Sequence, residues 1–151
     1  MATAESTYVE PSALIKLYLH QSESAAMTGW RARTRGALPL TPHARVEILN
    51  DIGLAVFRRQ IDADARDDAV RSFEEDIAGG RYIHADVMWR SALRRGAELS
   101  LEYTADIGCR SLDVLHVACA LELGLANFLT FDLRQRRLAR AVSLKAVAVR
   151  T

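Results

Sequence analysis

The chain has 151 residues, half of them hydrophobic and 26% charged, with a formal net charge of +1. That length fits a single domain over residues 1–151 that buries roughly two thirds of its unfolded surface. The near-neutral charge excludes a bulk electrostatic pull on nucleic acid, and two cysteines, Cys109 and Cys119, without metal-site spacing exclude a disulfide framework and a zinc finger.

In chain order, residues 6–10 are a β-prone run that stops at Pro11-Ser12, after which Ala13, Leu14, Leu17 and Tyr18 recur at helical spacing. A first strand therefore hands over to a first helix at Glu10. Residues 22–35 predict a second helix carrying Met27 and Trp30 inward and closed by Gly36, and residues 37–41 a short strand. Thr41-Pro42 is a favoured helix opening, and the apolar face that follows reads Val46, Leu49, Ile52 or Gly53, and Val56, with Glu47 beside it. Residues 62–77 predict an acidic amphipathic helix ended by Gly79-Gly80, residues 81–84 a strand, and residues 86 to about 101 another helix.

Between Leu112 and Leu123 only Asp113, His116 and Glu122 interrupt an apolar run, which predicts a helix buried nearly all round. Ser111 is placed to cap it and Gly124 to end it in a left-handed conformation. Asp113 falls in its first turn, where the helix dipole favours a negative charge. Residues 127–131 are strand-like; Asp132 ends that strand and caps a helix reaching Ala141, and residues 145–149 give a last strand. Strands alternating with helices predict right-handed crossovers, and so a three-layer α/β/α domain around a mostly parallel sheet of four to five strands. No basic start with an apolar run, and no long uncharged apolar segment, marks a secretory signal or membrane span, so a cytoplasmic location is expected. Both cysteines read as reduced packing residues.

In such a sheet the functional crevice lies beyond the carboxyl ends of the strands. Glu10 and Asp132 stand at two such ends, Asp113 opens the central helix, and Glu47 lies in the second turn of the helix after the second strand. Each also has a plain structural use: a strand-end charge for Glu10, a solvated helix residue for Glu47, a helix cap for Asp113 and Asp132. Together, four converging carboxylates would take up protons or recruit a cation, and an all-oxygen set selects Mg²⁺ or Mn²⁺. Ser12 and Thr130 are placed to add hydrogen bonds. His116 lies one turn beyond Asp113, either facing the site or serving as a hydrogen-bonded core residue. The charges are polarised along the chain: Arg134, Arg136, Arg137, Arg140, Lys145 and Arg150 cluster near the C-terminus, while residues 60–80 are rich in acid. Arg134, Arg136 and Arg137 are candidates for RNA phosphate contacts, or else a solvated helix face.

Tyr-Val-Glu10-Pro-Ser-Ala-Leu-Ile-Lys-Leu-Tyr, Arg-Val-Glu47-Ile, Arg-Ser-Leu-Asp113-Val-Leu-His-Val-Ala and Phe-Leu-Thr-Phe-Asp132-Leu-Arg-Gln-Arg-Arg-Leu-Ala resemble the four acidic signatures of PIN-domain ribonucleases, specifically VapC-type toxins of bacterial toxin–antitoxin pairs. The resemblance implies a metal-dependent endoribonuclease using Mg²⁺ or Mn²⁺, with Glu10 and Asp113 as principal ligands, Glu47 and Asp132 as ligands or holders of water, and Ser12 near the metal. It also implies a homodimer and a cognate VapB-type antitoxin lying over a groove, for which Leu14, Leu17, Tyr18 and Trp30 are the candidate lining residues; their alternative use is core packing. The sequence departs from the family pattern at Glu10, where the family has Asp, and the added methylene disturbs octahedral Mg²⁺ geometry. The alternative function is therefore a PIN-fold binding module that holds antitoxin or RNA without efficient cleavage. A phosphoacceptor signalling domain fits less well, since Lys145 begins its strand instead of ending it.

Overall fold

In the computed structural model, which describes residues 2–150, five short strands are interleaved with seven helices, two pairs of which follow one another directly. The order is β1 (Thr7–Val9), α1 (Pro11–Leu14) running into a 3₁₀ turn at Ile15–Leu17, α2 (Ser24–Arg33), β2 (Leu38–Leu40), α3 (Pro42–Phe57), α4 (Ala63–Ala78), β3 (Tyr82–His84), α5 (Trp89–Ile107), α6 (Ser111–Glu122), β4 (Asn127–Leu129), α7 (Leu133–Ala141) and β5 (Lys145–Ala146). Every ladder is parallel: Thr7 pairs with Asn127, Asn127 with Lys145, and Leu38 with Tyr82. The ladders form two groups, β1-β4-β5 and β2-β3, and β1 lies beside β2. The expected parallel α/β arrangement is thus present, with its five strands in a group of three and a group of two that meet at a seam between β1 and β2, where a single sheet of four to five strands was expected.

Alternation along the strands sorts the core into two halves, because successive side chains leave a strand on opposite faces. Val9 and Leu129 pack with Leu14, Met27, Ile48, Ile52 and Phe73 on the side of α1 to α4. Tyr8 and Phe128 pack with Val114, Val117, Cys119 and Leu138 on the side of α5 to α7. The Tyr8 and Phe128 rings are stacked 5.4 Å apart across the β1–β4 ladder. These two faces are the outer layers of the α/β/α architecture. Cys109 and Cys119 are buried and free, as expected of packing residues. No helix among the described residues is long and apolar enough to cross a membrane.

Several boundaries and faces differ from expectation. α1 is one turn long because Glu10, extended at ψ 142°, caps it and the backbone tightens at Ile15. α2 is shorter at both ends than expected, and α5 runs on to Ile107, where Gly108 at φ 80° ends it. The buried face of α3 is Ala44, Ile48, Ile52 and Ala55, whereas Val46 is 67% exposed. A single pattern of four apolar residues fitted two registers of the helix, and Ala44 and Ala55, which fix the right one, are too small to stand out. In α6, Ser111 is the first helical residue instead of the cap, and Leu112 is exposed while the rest of the apolar run is buried or partly buried. Leu14 and Trp30 are buried in the first core, with Leu17 and Tyr18 partly buried against it, so the candidate groove residues pack inward. Tyr18 also donates a hydrogen bond to Asp76 at 2.7 Å.

The register of α3 has a measurable consequence. Ile48→Ala is expected to cost about 2–5 kcal/mol, and Val46→Ala about 0.5 kcal/mol or less, in urea denaturation.

Candidate functional site

Two helices begin directly beyond strand ends, and their caps supply two of the four acids. Glu10 follows β1, and its Oε2 accepts the Ser12 backbone N–H at 3.1 Å and the Ser12 hydroxyl. Asp132 follows β4, and its Oδ1 accepts the Gln135 N–H at 2.9 Å. Asp113, the third residue of α6, accepts the Arg110 N–H at 3.3 Å, the reach back expected of an acid in a first helical turn. Glu47, in the second turn of α3, accepts from His116 Nε2 at 2.9 Å.

These four carboxylates open onto one crevice of about 760 Å³, together with Ser12, Arg110, Ser111, Leu112, Arg134 and Gln135. Glu10, Asp113 and Asp132 are held by local hydrogen bonds and Glu47 by a long-range one to His116, and all four face the same space. Electrostatics shows what the grouping costs. Burial lifts the Glu10 carboxyl above its usual range; the Ser12 hydrogen bonds and His116 oppose that shift, and Glu47 adds to it. Burial likewise raises Asp113, opposed by the Arg110 N–H and reinforced by Asp132. Four carboxylates on one crevice, two of them with pKa values raised chiefly by burial, offer the oxygen donors that a hard divalent cation takes.

Behind the crevice, His116 is fully buried. Its Nδ1 lies 2.6 Å from the Tyr8 hydroxyl and 3.2 Å from His43 Nε2. With the Glu47 carboxylate accepting, Nε2 carries the hydrogen and the Tyr8 hydroxyl donates to Nδ1. The His43 ring is stacked on His116 with centroids 4.6 Å apart and meets the edge of Trp89 at 4.9 Å. Burial, and then His116, lower the His43 pKa to about 4.

Glu10, Ser12, Glu47, Asp113, Asp132 and Arg134 therefore line one crevice. The other candidates are placed differently. Thr130 is buried, donating to Gln135 Oε1 at 2.6 Å and accepting from the Asp132 N–H at 3.1 Å, so it braces the strand end without lining the crevice. His116 reaches the crevice only through Glu47, which makes it the hydrogen-bonded core histidine of the two readings. Arg136 folds back to donate to the Thr130 carbonyl at 3.0 Å, and Arg137 is exposed outside the crevice lining.

Three residues escaped sequence reading. Gln135 is fully buried and its Nε2 donates to the Asp113 carbonyl at 3.2 Å, tying α7 to α6 beneath two of the acids. Its position three residues after a capping Asp was the available signal. Arg110 lines the crevice, and His43 stands one helical turn before Glu47; the i, i+4 spacing of His43 and Glu47 was legible.

Raised carboxyl pKa values carry a sign for stability. A group whose pKa is higher in the fold than in the unfolded chain costs nothing while both states are protonated, and destabilises the fold as pH climbs through its raised value. Metal-free Glu10→Gln is therefore expected to match the original protein in melting temperature below the ordinary carboxylate range and to exceed it above the raised Glu10 pKa. A thermal-denaturation series over pH checks this.

A parallel α/β/α domain that delivers four carboxylates to one crevice at its strand ends belongs, by fold and donor chemistry, with proteins that use divalent cations. The family model for the PIN domain matches residues 7–141, and the chain belongs to that family, whose members are generally metal-dependent nucleases. No curated protein matches the chain.

Proposed function

We propose that the chain is an endoribonuclease toxin that hydrolyses RNA phosphodiester bonds with Mg²⁺ or Mn²⁺ and is held inactive by a cognate VapB-type antitoxin. The observation that carries this reading is the crevice itself: Glu10, Glu47, Asp113 and Asp132 inside it, with Arg110 and Arg134 among its lining residues. A bound divalent cation supplies Lewis acidity toward the scissile phosphate and lowers the pKa of a nearby water. Glu10 and Asp113 hold the cation, while Glu47 and Asp132 orient water and complete the negative site. Ser12 keeps Glu10 turned toward α1. Gln135 fixes the start of α6, so that Asp113 and Asp132 keep their spacing. Arg110 and Arg134 take the flanking phosphates, a contact whose strength falls with salt. No side-chain nucleophile is required.

An antitoxin arginine entering the same crevice would form charge-assisted bonds to Asp113 or Asp132 and exclude the cation. A homodimer is the expected assembly, and the exposed apolar side chains of Val46, Phe57, Leu93 and Leu101 are available for partner contacts. A second reading, a PIN-fold module that binds without cleaving, is favoured by one observation: the Glu10 carboxylate is folded onto Ser12.

Incubation of the purified chain with a structured RNA and Mn²⁺ or Mg²⁺ separates the two. Cleavage that stops with chelator and returns with added ion supports the nuclease; RNA retention without cleavage under either ion supports the binding module. Co-purification with the product of the gene immediately upstream tests the antitoxin.

A further inference from the structure

The search for donors outside the carboxylate crevice leads to the buried group behind it. Among the described residues, the three side chains whose donor atoms already lie within 4.8 Å of one another are His43, Glu47 and His116. The four acids of the crevice form no such trio. We propose that His43, Glu47 and His116 form a second metal site, selective for a borderline transition ion such as Zn²⁺, that shares Glu47 with the crevice. It does not depend on that crevice being catalytic.

The chemistry of the donor set carries the selectivity. Two imidazoles and one carboxylate suit Zn²⁺, Co²⁺ or Ni²⁺, whereas Mg²⁺ wants oxygen alone. The scaffold also fits. His43 and Glu47 are spaced i, i+4 on α3, which puts them on one face, and His116 faces them from α6. His116 has the outer support that metal-bound histidines use: with Nε2 given to an ion, its proton moves to Nδ1, where the Tyr8 oxygen 2.6 Å away accepts it. His43 is the incomplete member. Its Nδ1 is buried and has no hydrogen-bond partner among the described residues, an arrangement that costs stability until the ring finds one. The rings of His43 and His116 are now stacked at an interplanar angle of 19°, so closure on one ion requires the half-buried His43 ring to turn out of the stack. Three protein ligands leave open positions for water.

An ion held there engages Glu47, and so competes for one of the four crevice acids. Zn²⁺ is then an antagonist of Mg²⁺ or Mn²⁺ binding instead of a substitute for them.

Calorimetric titration of the full chain with Zn²⁺, and visible absorption on titration with Co²⁺, test the site. His43→Ala and His43→Gln are each expected to lower Zn²⁺ affinity at least tenfold while leaving Mn²⁺ affinity unchanged, and Asp113→Asn to do the reverse. Nuclear magnetic resonance of the Co²⁺ form is expected to show shifted ring signals from two histidines, a readout that needs no variant. Equal Zn²⁺ affinity in the original protein and both His43 variants overturns the proposal, as does a Co²⁺ spectrum with no histidine ligation. Zn²⁺ binding without any Mn²⁺ binding in the original protein would instead overturn the reading of the crevice and leave this site standing.

Discussion

Asp113→Asn is expected to lower both divalent-ion affinity and RNA cleavage by about 100-fold or more, equivalent to about 2.8 kcal/mol. The size of the loss follows from the position of this acid. Asp113 stands at the start of a helix whose interior is core, with its backbone carbonyl pinned by the fully buried Gln135, so the carboxylate cannot be replaced by a neighbour swinging in. Asn keeps an oxygen able to accept the Arg110 N–H, which preserves the helix cap and isolates the loss of charge. Neutralising a carboxyl whose pKa burial has raised also removes a cost from the metal-free fold. The variant is thus expected to be folded, no less stable, and inactive. Calorimetry with Mn²⁺ and a single-turnover cleavage assay measure the two losses separately; unchanged affinity would remove Asp113 from the site.

Glu10→Asp is expected to act in the opposite direction, raising cleavage about tenfold, or about 1.4 kcal/mol of barrier. Glu10 caps α1 through Ser12, and Asp is at least as good a cap, so folding does not confound the comparison. Removing one methylene shortens the side chain to that of the PIN pattern, and octahedral coordination of Mg²⁺ tolerates little error in ligand position. Paired rate measurements on one RNA with Mn²⁺ and with Mg²⁺ test this, and the larger gain is expected with Mg²⁺. A loss of activity would mean that the surrounding residues are shaped around Glu. Inactivity of both proteins with retained RNA binding would favour the binding module.

Legibility in the sequence followed the range of the physical cause. Helix caps are local: Thr41-Pro42, Asp132 and the left-handed Gly124 could be placed because each signal acts within a few residues. Glu10, Asp113 and Asp132 stand where short-range rules put acids, at strand ends and in a first helical turn, whereas Glu47, in the second turn of α3, has no such local signal. The burial of His116 was readable from the apolar run around it, but its partners Tyr8, His43 and Glu47 come from distant parts of the chain, and no local rule joins them. The face of α3 was misread because alanines decide it. Arg136 looked like its neighbours in sequence and was separated from Arg134 only by a backbone carbonyl that the fold brings within reach.

The division of the interior into two cores bears on the mechanics of the crevice. Glu10 and Glu47 are carried by elements packed in the first core, and Asp113 by a helix packed in the second; Asp132 follows the strand that serves both. The crevice therefore draws its carboxylates, like the two arms of a calliper, from two packing units that meet along β1 and β4. A cation that took ligands from both units would resist their separation. Substitutions that loosen either core far from the crevice are thus able to detune the bite on the ion while leaving every carboxylate in place.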